Sequence, residues 1–180
     1  MITAAEKFRN REKRKMMIKF FTAGGTIDKI YFDAMSTYQI GAPKIDEILE
    51  EARVNFDYEV TSLVKKDSLD LDDQDRKTIL DAVAAEPCQR IIITHGTDTM
   101  VETAQTLKKA RDKTIVLTGA MEPACFKSSD AGFNLGLAAG AVQSLAHGVY
   151  IAINGRIFNP DNARKNRELK MFESIGDPQL

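Results

Sequence analysis

Two short turns of this chain carry hydroxyl groups that could do chemistry. Thr26 follows a pair of glycines, and Thr97 follows one glycine and precedes Asp98. A threonine hydroxyl is a weak nucleophile unless a base takes its proton, and a lysine amine can act as that base. The N–H groups beside glycines can form a pocket for an oxyanion. The residue types therefore suit nucleophilic attack on a carbonyl carbon.

Each of these turns also has a purely structural interpretation. Thr26 could serve only to cap a turn, and residue type alone leaves capping and chemistry equally open. For Thr97 and Asp98, taken alone, the role of helix N-cap is favoured. His95 is a lone histidine between a strand and a turn, so packing or indirect support of the site is favoured over catalysis. His147 stands beside a helix-ending glycine and is predicted to be structural.

The sequence lacks the motifs of several other enzyme classes. It has no GxGxxG, no GxxxxGK[ST] and no GxSxG, so nucleotide binding and a serine-hydrolase elbow have no support. Two histidines and two cysteines, Cys88 and Cys125, show no metal-ligand spacing. We therefore expect no metal and no cofactor. Two cysteines are also too few for a disulfide framework, which favours a reducing compartment.

Composition predicts an ordinary globular domain. The chain has 180 residues, of which 43% are hydrophobic and 28% charged, and its net charge is −1. That charge predicts no general affinity for nucleic acid or anionic membranes. No apolar run approaches the roughly 20 residues of a membrane span, and no signal core is evident, so we expect a cytoplasmic protein. Residues 1–15 are predicted to be a basic, solvated extension rather than an anion-binding arm, and residues 16–180 one domain.

Strands and helices are predicted to alternate along the chain. Near-continuous apolar runs predict strands at residues 18–23, 56–64, 91–95, 114–118 and 149–153, with amphipathic helices between them. This alternation predicts an α/β fold with a doubly wound, mainly parallel sheet, a flavodoxin-like or Rossmann-like three-layer sandwich. The strand order 2-1-3-4-5 would place the first and third strands side by side. Both threonine turns would then face one crevice.

Several local features follow from turn and capping residues. The segment 28–41 shows no sustained period but contains aromatic residues, so we expect a long loop that acts as a flap. Thr97 and Asp98 are predicted to start a helix that runs to about Ala110, and Asp130 to cap the next helix. A short hairpin is expected after residue 153. The tail beyond it is polar and basic.

Ordered segments of the chain resemble the bacterial-type L-asparaginase family. Residues 22–27 (TAGGTI) resemble the first signature of that family, and residues 94–104 (THGTDTMVETA) resemble the second. Further similar segments are 36–41 (STYQIG, the flap), 67–68 (DS, the substrate-clamping loop), 119–121, 129–135, 149–154 and 164–165. The resemblance covers residues 19 to about 165, and the matching segments occur in the same order as in the family.

The resemblance implies a role for each matching residue. The catalytic residues would be Thr26, Tyr38, Thr97, Asp98 and Lys165, and the substrate-binding residues Gly25, Ser68, Thr97, Asp98 and Ala120. Thr26 would attack a side-chain amide of asparagine or a related small molecule, and Tyr38 would assist once the flap closes. Lys165 would act on Thr97, Asp98 would hold the α-amino group, Ser68 the α-carboxylate, and the carbonyl of Ala120 the amide. An acyl-enzyme would form with release of ammonia, without metal or cofactor.

Two departures from the family pattern carry expectations of their own. Family members have a C-terminal domain that adds polar side chains to the site of a neighbouring subunit, and this chain stops soon after Lys165. Leu69 stands where many members have a polar substrate contact. We therefore expect a more open site with weaker recognition of free asparagine. The alternative function is a non-catalytic ligand-binding or regulatory domain. A homodimer or larger homo-oligomer is expected in either case.

Overall fold

The computed structural model describes residues 17–32 and 37–176, and the predicted basic extension over residues 1–15 lies outside them. The strands are β1 (Ile18–Gly24), β2 (Lys29–Phe32), β3 (Thr37–Ile40), β4 (Tyr58–Lys66), β5 (Arg90–Thr94), β6 (Thr114–Thr118), β7 (Gly148–Ile153), β8 (Arg156–Phe158), β9 (Ala163–Asn166) and β10 (Met171–Ser174). The helices are α1 (Ile45–Glu51), α2 (Asp73–Ala85), α3 (Met100–Leu107) and α4 (Ala131–Ser144).

The central sheet has six strands in the order β4-β1-β5-β6-β7-β8. The first five are parallel, and β8 pairs antiparallel with β7. Counted along the chain, the five parallel strands follow the order 2-1-3-4-5. The predicted fold class is therefore confirmed, and so is the hairpin after residue 153. The strands β1 and β5, which lead into the two threonine turns, are direct neighbours.

Helices cover both faces of this sheet because its inner strands are apolar on both sides. All seven residues of β1 are buried. Phe20 and Ile92 pack in the core that contains α1 and α4, whereas Phe21 and Ile93 pack in the core that contains α2 and α3. Burial of each such side chain contributes about 1.5–3 kcal/mol. Two cores of this kind hold the strand ends, and hence the turns, in fixed positions.

Two hairpins lie in segments for which the sequence predicted no strands. β2 and β3 pair antiparallel within the predicted flap, and β9 and β10 pair antiparallel in the polar tail. The expectation of a long loop over residues 28–41 was therefore wrong for most of that segment. Strands of four residues are too short to show a clear hydrophobic period, and mutual pairing satisfies their backbone groups.

The helix after β5 begins later and ends earlier than predicted. α3 starts at Met100 rather than at Thr97–Asp98, and it ends at Leu107 rather than near Ala110. Its N-cap is Thr99, whose hydroxyl donates to the carbonyl of Ser68 (2.7 Å) and not into the helix. The side chains of Thr97 and Asp98 precede this cap, and both accept a hydrogen bond from Lys165.

Asp130 precedes α4 as predicted but does not cap it through its side chain. Its carboxylate accepts hydrogen bonds from the backbone N–H groups of Met121 and Glu122 and from the amide of Asn134. Asp130 therefore shapes the loop after β6. Within the described residues, no helix is long and apolar enough to cross a membrane.

Candidate active site

The first threonine turn is a 3₁₀ turn, Thr26–Asp28, that directly follows β1. Gly24 and Gly25 have φ angles of 73° and 93°, which favour glycine because a side chain is strained there. The N–H of Gly25 donates to the carbonyl of Lys66 (3.1 Å) in β4, and the N–H of Asp28 donates back to the carbonyl of Gly25. These bonds fix Thr26 at the carboxyl end of the sheet, where its side chain is half-buried.

Glycines bring the ends of neighbouring strands into direct contact. A Cβ atom at Gly25 would overlap the backbone of Gly96, and one at Gly96 would overlap the side chain of Ser68. A Cβ atom at Gly119 would overlap the carbonyl of His95. Only residues without side chains permit these approaches. The Thr26 turn, the Thr97 turn and the Ser68 turn (Ser68–Asp70, after β4) are therefore in direct contact.

Lys165 on β9 connects the two polar side chains of the second turn. Its Nζ donates to Oγ1 of Thr97 at 2.7 Å and to Oδ1 of Asp98 at 3.0 Å. The side chains of Lys165 and Asp98 are 16% and 27% exposed, and Thr97 is 3% exposed. An ammonium group only donates, so it occupies a lone pair of the Thr97 hydroxyl and leaves the hydroxyl proton free to donate elsewhere.

One pocket of about 310 Å³ contains both threonines and the lysine. Its described lining consists of Thr26, Thr97, Asp98, Met121, Lys165, Arg167 and Lys170. Four of the five predicted catalytic residues thus share a cavity. The fifth, Tyr38, lies in β3 opposite Tyr31, and its side chain is outside the described part. A larger pocket of about 530 Å³, lined by Gln89, Thr114 and His147 among others, contains none of these groups.

Of the predicted substrate-binding residues, Thr97 and Asp98 line this pocket, and the others are neighbours in sequence or space of the two threonine turns. Ala120 is buried against Ile27, the residue after Thr26. Ser68 is 1% exposed, and its hydroxyl has no hydrogen-bond partner within the described parts of the chain. Buried polar groups in folded proteins nearly always have a hydrogen-bond partner. Leu69, expected in place of a polar contact, is 64% exposed.

His95 is fully buried behind the second turn, as predicted for a packing residue. Its Nδ1 lies 2.7 Å from the carbonyl of Gly96, and its Nε2 lies 2.9 Å from the hydroxyl of Thr103. Since a carbonyl only accepts, Nδ1 carries the proton and Nε2 accepts from Thr103. Burial lowers the pKa of His95 to about 4. The neutral ring therefore holds the Gly96 peptide, and Thr103 is a partner that sequence reasoning missed.

Asp28 is a second residue that sequence reasoning missed. Its Oδ1 accepts from the N–H of Lys44 at 3.0 Å, and its carbonyl accepts from the N–H of Gly41 at 2.7 Å. Asp28 thus joins the Thr26 turn to the segment that follows β3 and leads into α1. Burial raises the pKa of this carboxyl to about 6, although the Lys44 N–H and the charges of Lys44 and Lys65 oppose the shift.

Arg167 and Lys170 also line the pocket, from the turn between β9 and β10. Nε of Arg167 lies 3.4 Å from Oδ1 of Asp98. In the sequence both residues lie in a polar, basic tail. Their spacing does not predict the hairpin that brings Arg167 close to Asp98. The described residues contain no cluster of three or more histidine, cysteine or carboxylate side chains that could hold a metal ion.

Comparison with known proteins agrees with the predicted resemblance. Residues 17–180 match the protein family described as "Asparaginase, N-terminal". The chain is 33% identical over 160 residues to the "Probable L-asparaginase periplasmic" of Haemophilus influenzae, an alignment that covers 82% of this chain and 46% of that protein.

Solved structures show the same relationship. The thermostable L-asparaginase of Thermococcus kodakarensis superposes with a TM-score of 0.77 and 29% identity, over 91% of this chain and 52% of that one. The probable cytoplasmic L-asparaginase of Campylobacter jejuni superposes with a TM-score of 0.74 and 31% identity, over 89% and 52%. The chain spans about half the length of these relatives. It belongs to the asparaginase family, in which it corresponds to the N-terminal domain.

Proposed function

We propose that this domain hydrolyses the side-chain amide of asparagine or a related small molecule, with Thr26 as the nucleophile. The observation that carries the proposal is the shared pocket in which Lys165 donates to both Thr97 and Asp98 beside Thr26. A domain that only binds a ligand has no need of a lysine placed on a buried hydroxyl. Family membership adds independent support, because the relatives are named as asparaginases.

In the first step the Thr26 hydroxyl oxygen bonds to the amide carbon as the hydroxyl proton leaves. The C–N bond then breaks, and the amide nitrogen departs with that proton as ammonia. The glycine-rich backbone around Thr26 offers N–H groups to the negative charge that develops on the carbonyl oxygen. Because Gly25 and Gly96 pack backbone to backbone, these groups are already in place before the substrate arrives.

In the second step water attacks the ester carbon and releases the acid, which regenerates the Thr26 hydroxyl. The cluster of Lys165, Thr97 and Asp98 is suited to this step. Lys165 occupies a lone pair of the Thr97 oxygen, so the Thr97 proton is directed to the substrate or to the attacking water. Asp98 keeps the ammonium of Lys165 in position at 3.0 Å, which preserves the geometry throughout the cycle.

Substrate contacts are assigned from the residues around the pocket. When asparagine is the substrate, Oδ2 of Asp98 holds its amino group, since Oδ1 faces Lys165 and Arg167. The buried Ser68 hydroxyl, with no partner within the described residues, donates to a substrate carboxylate. Gly25 shapes the site through its backbone, because its N–H already donates to the carbonyl of Lys66. The carbonyl of Ala120 accepts from the amide nitrogen. Tyr38, on the β2–β3 hairpin, approaches Thr26 when the hairpin closes and excludes water.

Ammonia release tests this proposal. The panel consists of asparagine, glutamine, N-acetylasparagine and a peptide-linked asparagine, and we expect turnover of at least one. Thr26→Ala should abolish turnover while calorimetry still detects ligand binding. Thr78→Ala is the matched control, because Thr78 is an exposed threonine of α2 that donates only to Gln74. Tyr38→Phe should lower kcat more than it weakens binding.

The same assay separates the enzyme from a regulatory or ligand-binding domain. Binding without ammonia release in the wild-type protein would favour the second function. Turnover that survives in Thr26→Ala would instead remove the assigned nucleophile.

We further propose a cytoplasmic homodimer or larger homo-oligomer. For the compartment, one relative is named as cytoplasmic and another as periplasmic. Light scattering that shows a monomer across working concentrations would contradict the oligomer, and fractionation of the source cells would test the compartment.

A further inference from the structure

The pocket carries more positive than negative charge. Three cationic side chains, Lys165, Arg167 and Lys170, share its described lining with one carboxylate, that of Asp98. Glu168, in the same turn as two of these cations, is exposed and is not part of that lining. The carboxylate of Asp130, behind Met121, is engaged by backbone N–H groups. The net charge on the described lining is therefore +2, from three positive charges and one negative.

The single carboxylate is already shared between two cations. Oδ1 of Asp98 lies 3.0 Å from Nζ of Lys165 and 3.4 Å from Nε of Arg167. A substrate ammonium group would meet this shared carboxylate and add a fourth positive charge to the pocket. A substrate carboxylate would instead meet Arg167 and Lys170, and both can form charge-assisted hydrogen bonds with it.

The turn that carries these two cations is well defined. Oδ1 of Asn166 accepts hydrogen bonds from the backbone N–H groups of Glu168 and Leu169, both at 3.1 Å. Lys170 follows with a φ angle of 51°, a left-handed conformation in which a glycine would be less strained. Within the described residues Lys170 forms no ion pair. A lysine held in this conformation on the pocket is available to a ligand.

We infer that the amide hydrolysed in this pocket belongs to an acid that carries a carboxylate and no free ammonium group, and that Arg167 and Lys170 select it. N-acylated asparagine and the monoamide of a dicarboxylic acid have this chemistry. The inference rests on the proposed function and deepens it by naming the substrate class. The reaction is unchanged: the amide C–N bond is replaced by a C–O bond from water, and ammonia leaves.

The test compares kcat/KM for asparagine, N-acetylasparagine and succinamate in the ammonia assay at low salt. We expect the two anionic amides to exceed asparagine roughly tenfold. Arg167→Gln and Lys170→Gln should each lower this ratio several-fold through KM, and added salt should lower it in the wild type. Lys109→Gln, the same charge change at an exposed site beyond the far end of α3, should leave the ratio unchanged.

Three outcomes would overturn the inference. The first is a preference for asparagine over both anionic amides. The second is a ratio that does not change in either turn variant. The third is an equal loss of kcat/KM for all three substrates, which would mean that the turn only maintains the shape of the pocket. Thermal melting of each variant shows whether the fold is retained.

Binding to Thr26→Ala separates this inference from the proposed function. Succinate should bind more tightly than asparagine to Thr26→Ala, and Arg167→Gln should remove the difference. If no amide is hydrolysed but this order of affinities holds, the hydrolase proposal fails and the selection of anions stands. If amides are hydrolysed but asparagine binds more tightly than succinate, the inference fails and the hydrolase remains.

Discussion

Gly25 and Gly96 meet backbone to backbone, so closely that a Cβ atom on Gly25 would overlap the amide of Gly96. The two residues are separated by most of the first half of the chain, and they join the two threonine turns directly. The contact sets the separation of Thr26 and Thr97 through the main chain alone. The backbone contact therefore fixes where the two threonine side chains start, and the hydrogen bond from Lys165 then orients the Thr97 hydroxyl.

Gly25→Ala should damage both stability and activity. The new methyl group collides with the Gly96 backbone, and the φ angle of 93° strains any residue with a side chain. We expect a loss of about 1–3 kcal/mol in the free energy of unfolding, measured by urea titration. Gly140→Ala is the control, because it lies in α4 with nothing within 4 Å of its added Cβ. It should gain about 1 kcal/mol. Equal effects of the two changes would contradict the close contact.

Lys165→Met should remove the hydrogen bond to Thr97 and the ion pair with Asp98. We expect kcat/KM for the preferred amide to fall by about 10²–10⁴-fold, with a modest change in melting temperature. Lys108→Met is the matched control, since Lys108 pairs with Asp161 at 2.6 Å on the surface, where both side chains are about half exposed. Such a pair contributes about 0–1 kcal/mol. If Lys108→Met impaired turnover as strongly as Lys165→Met, Lys165 would have no special role.

Asp28 should make stability fall as the pH rises. Its pKa is 3.8 when unfolded and about 6 in the fold because burial disfavours the charged form. The folded state therefore binds the proton more tightly, and this stabilisation is complete below pH 3.8 and lost as the pH rises through 6. It amounts to at most about 3 kcal/mol. Asp28→Asn should gain stability relative to the wild type between pH 4 and 7 in urea titrations. A difference independent of pH would contradict the raised pKa.

His95 should make stability fall as the pH falls, over nearly the same pH range. Its pKa is lowered from 6.5 to about 4 by burial, so the unfolded chain binds the proton more tightly. Stability due to the neutral ring is present above pH 6.5 and is lost, by up to about 3 kcal/mol, as the pH falls through 4. His95→Asn should therefore show a smaller loss of stability on acidification than the wild type. The two titrations offset each other in the wild-type protein, and only the single variants reveal them.

The ion pair between Lys29 and Asp67 connects the β2–β3 hairpin to the Ser68 turn. Its two charged atoms lie 2.6 Å apart, and the side chains are 26% and 30% exposed. Burial alone would raise the pKa of Asp67, but the hydrogen bonds from Lys29 and from the N–H of Leu69 hold that pKa below its ordinary value. A double-mutant cycle with Lys29→Met and Asp67→Asn should give a coupling free energy of about 1 kcal/mol, calculated from the KM values of the four proteins. Zero coupling would mean that the two segments act independently.

The parallel sheet was predictable because it depends on patterns that a single sequence displays. Runs such as Ile91–Ile93 are apolar without alternation, and this is the pattern of strands buried on both faces. The glycines after β1 and β5 indicated the two turns, because a close backbone contact or a left-handed φ angle requires glycine. Local chemistry of this kind does not depend on distant residues.

The remaining features depend on contacts between distant segments. Lys165, far along the chain, donates to both Thr97 and Asp98. The raised pKa of Asp28 depends on its burial in the fold, where its carboxylate accepts from the N–H of Lys44. Arg167 reaches Asp98 only because β9 and β10 pair. No spacing rule within a single segment encodes these relationships. The catalytic and substrate-binding roles of the site residues stay predictions until the assays are done.

The position of β1 beside β5 has a consequence for how such domains diversify. Adjacent strands lie about 4.8 Å apart whatever connects them, so the loops outside α1, β4, the Ser68 turn and α2 are free to lengthen, shorten or change composition. New amides could be accepted through altered loops while the bond-breaking centre is inherited intact. Directed evolution of this protein should therefore begin with the connecting loops and leave the strand ends, Tyr38 and Lys165 untouched.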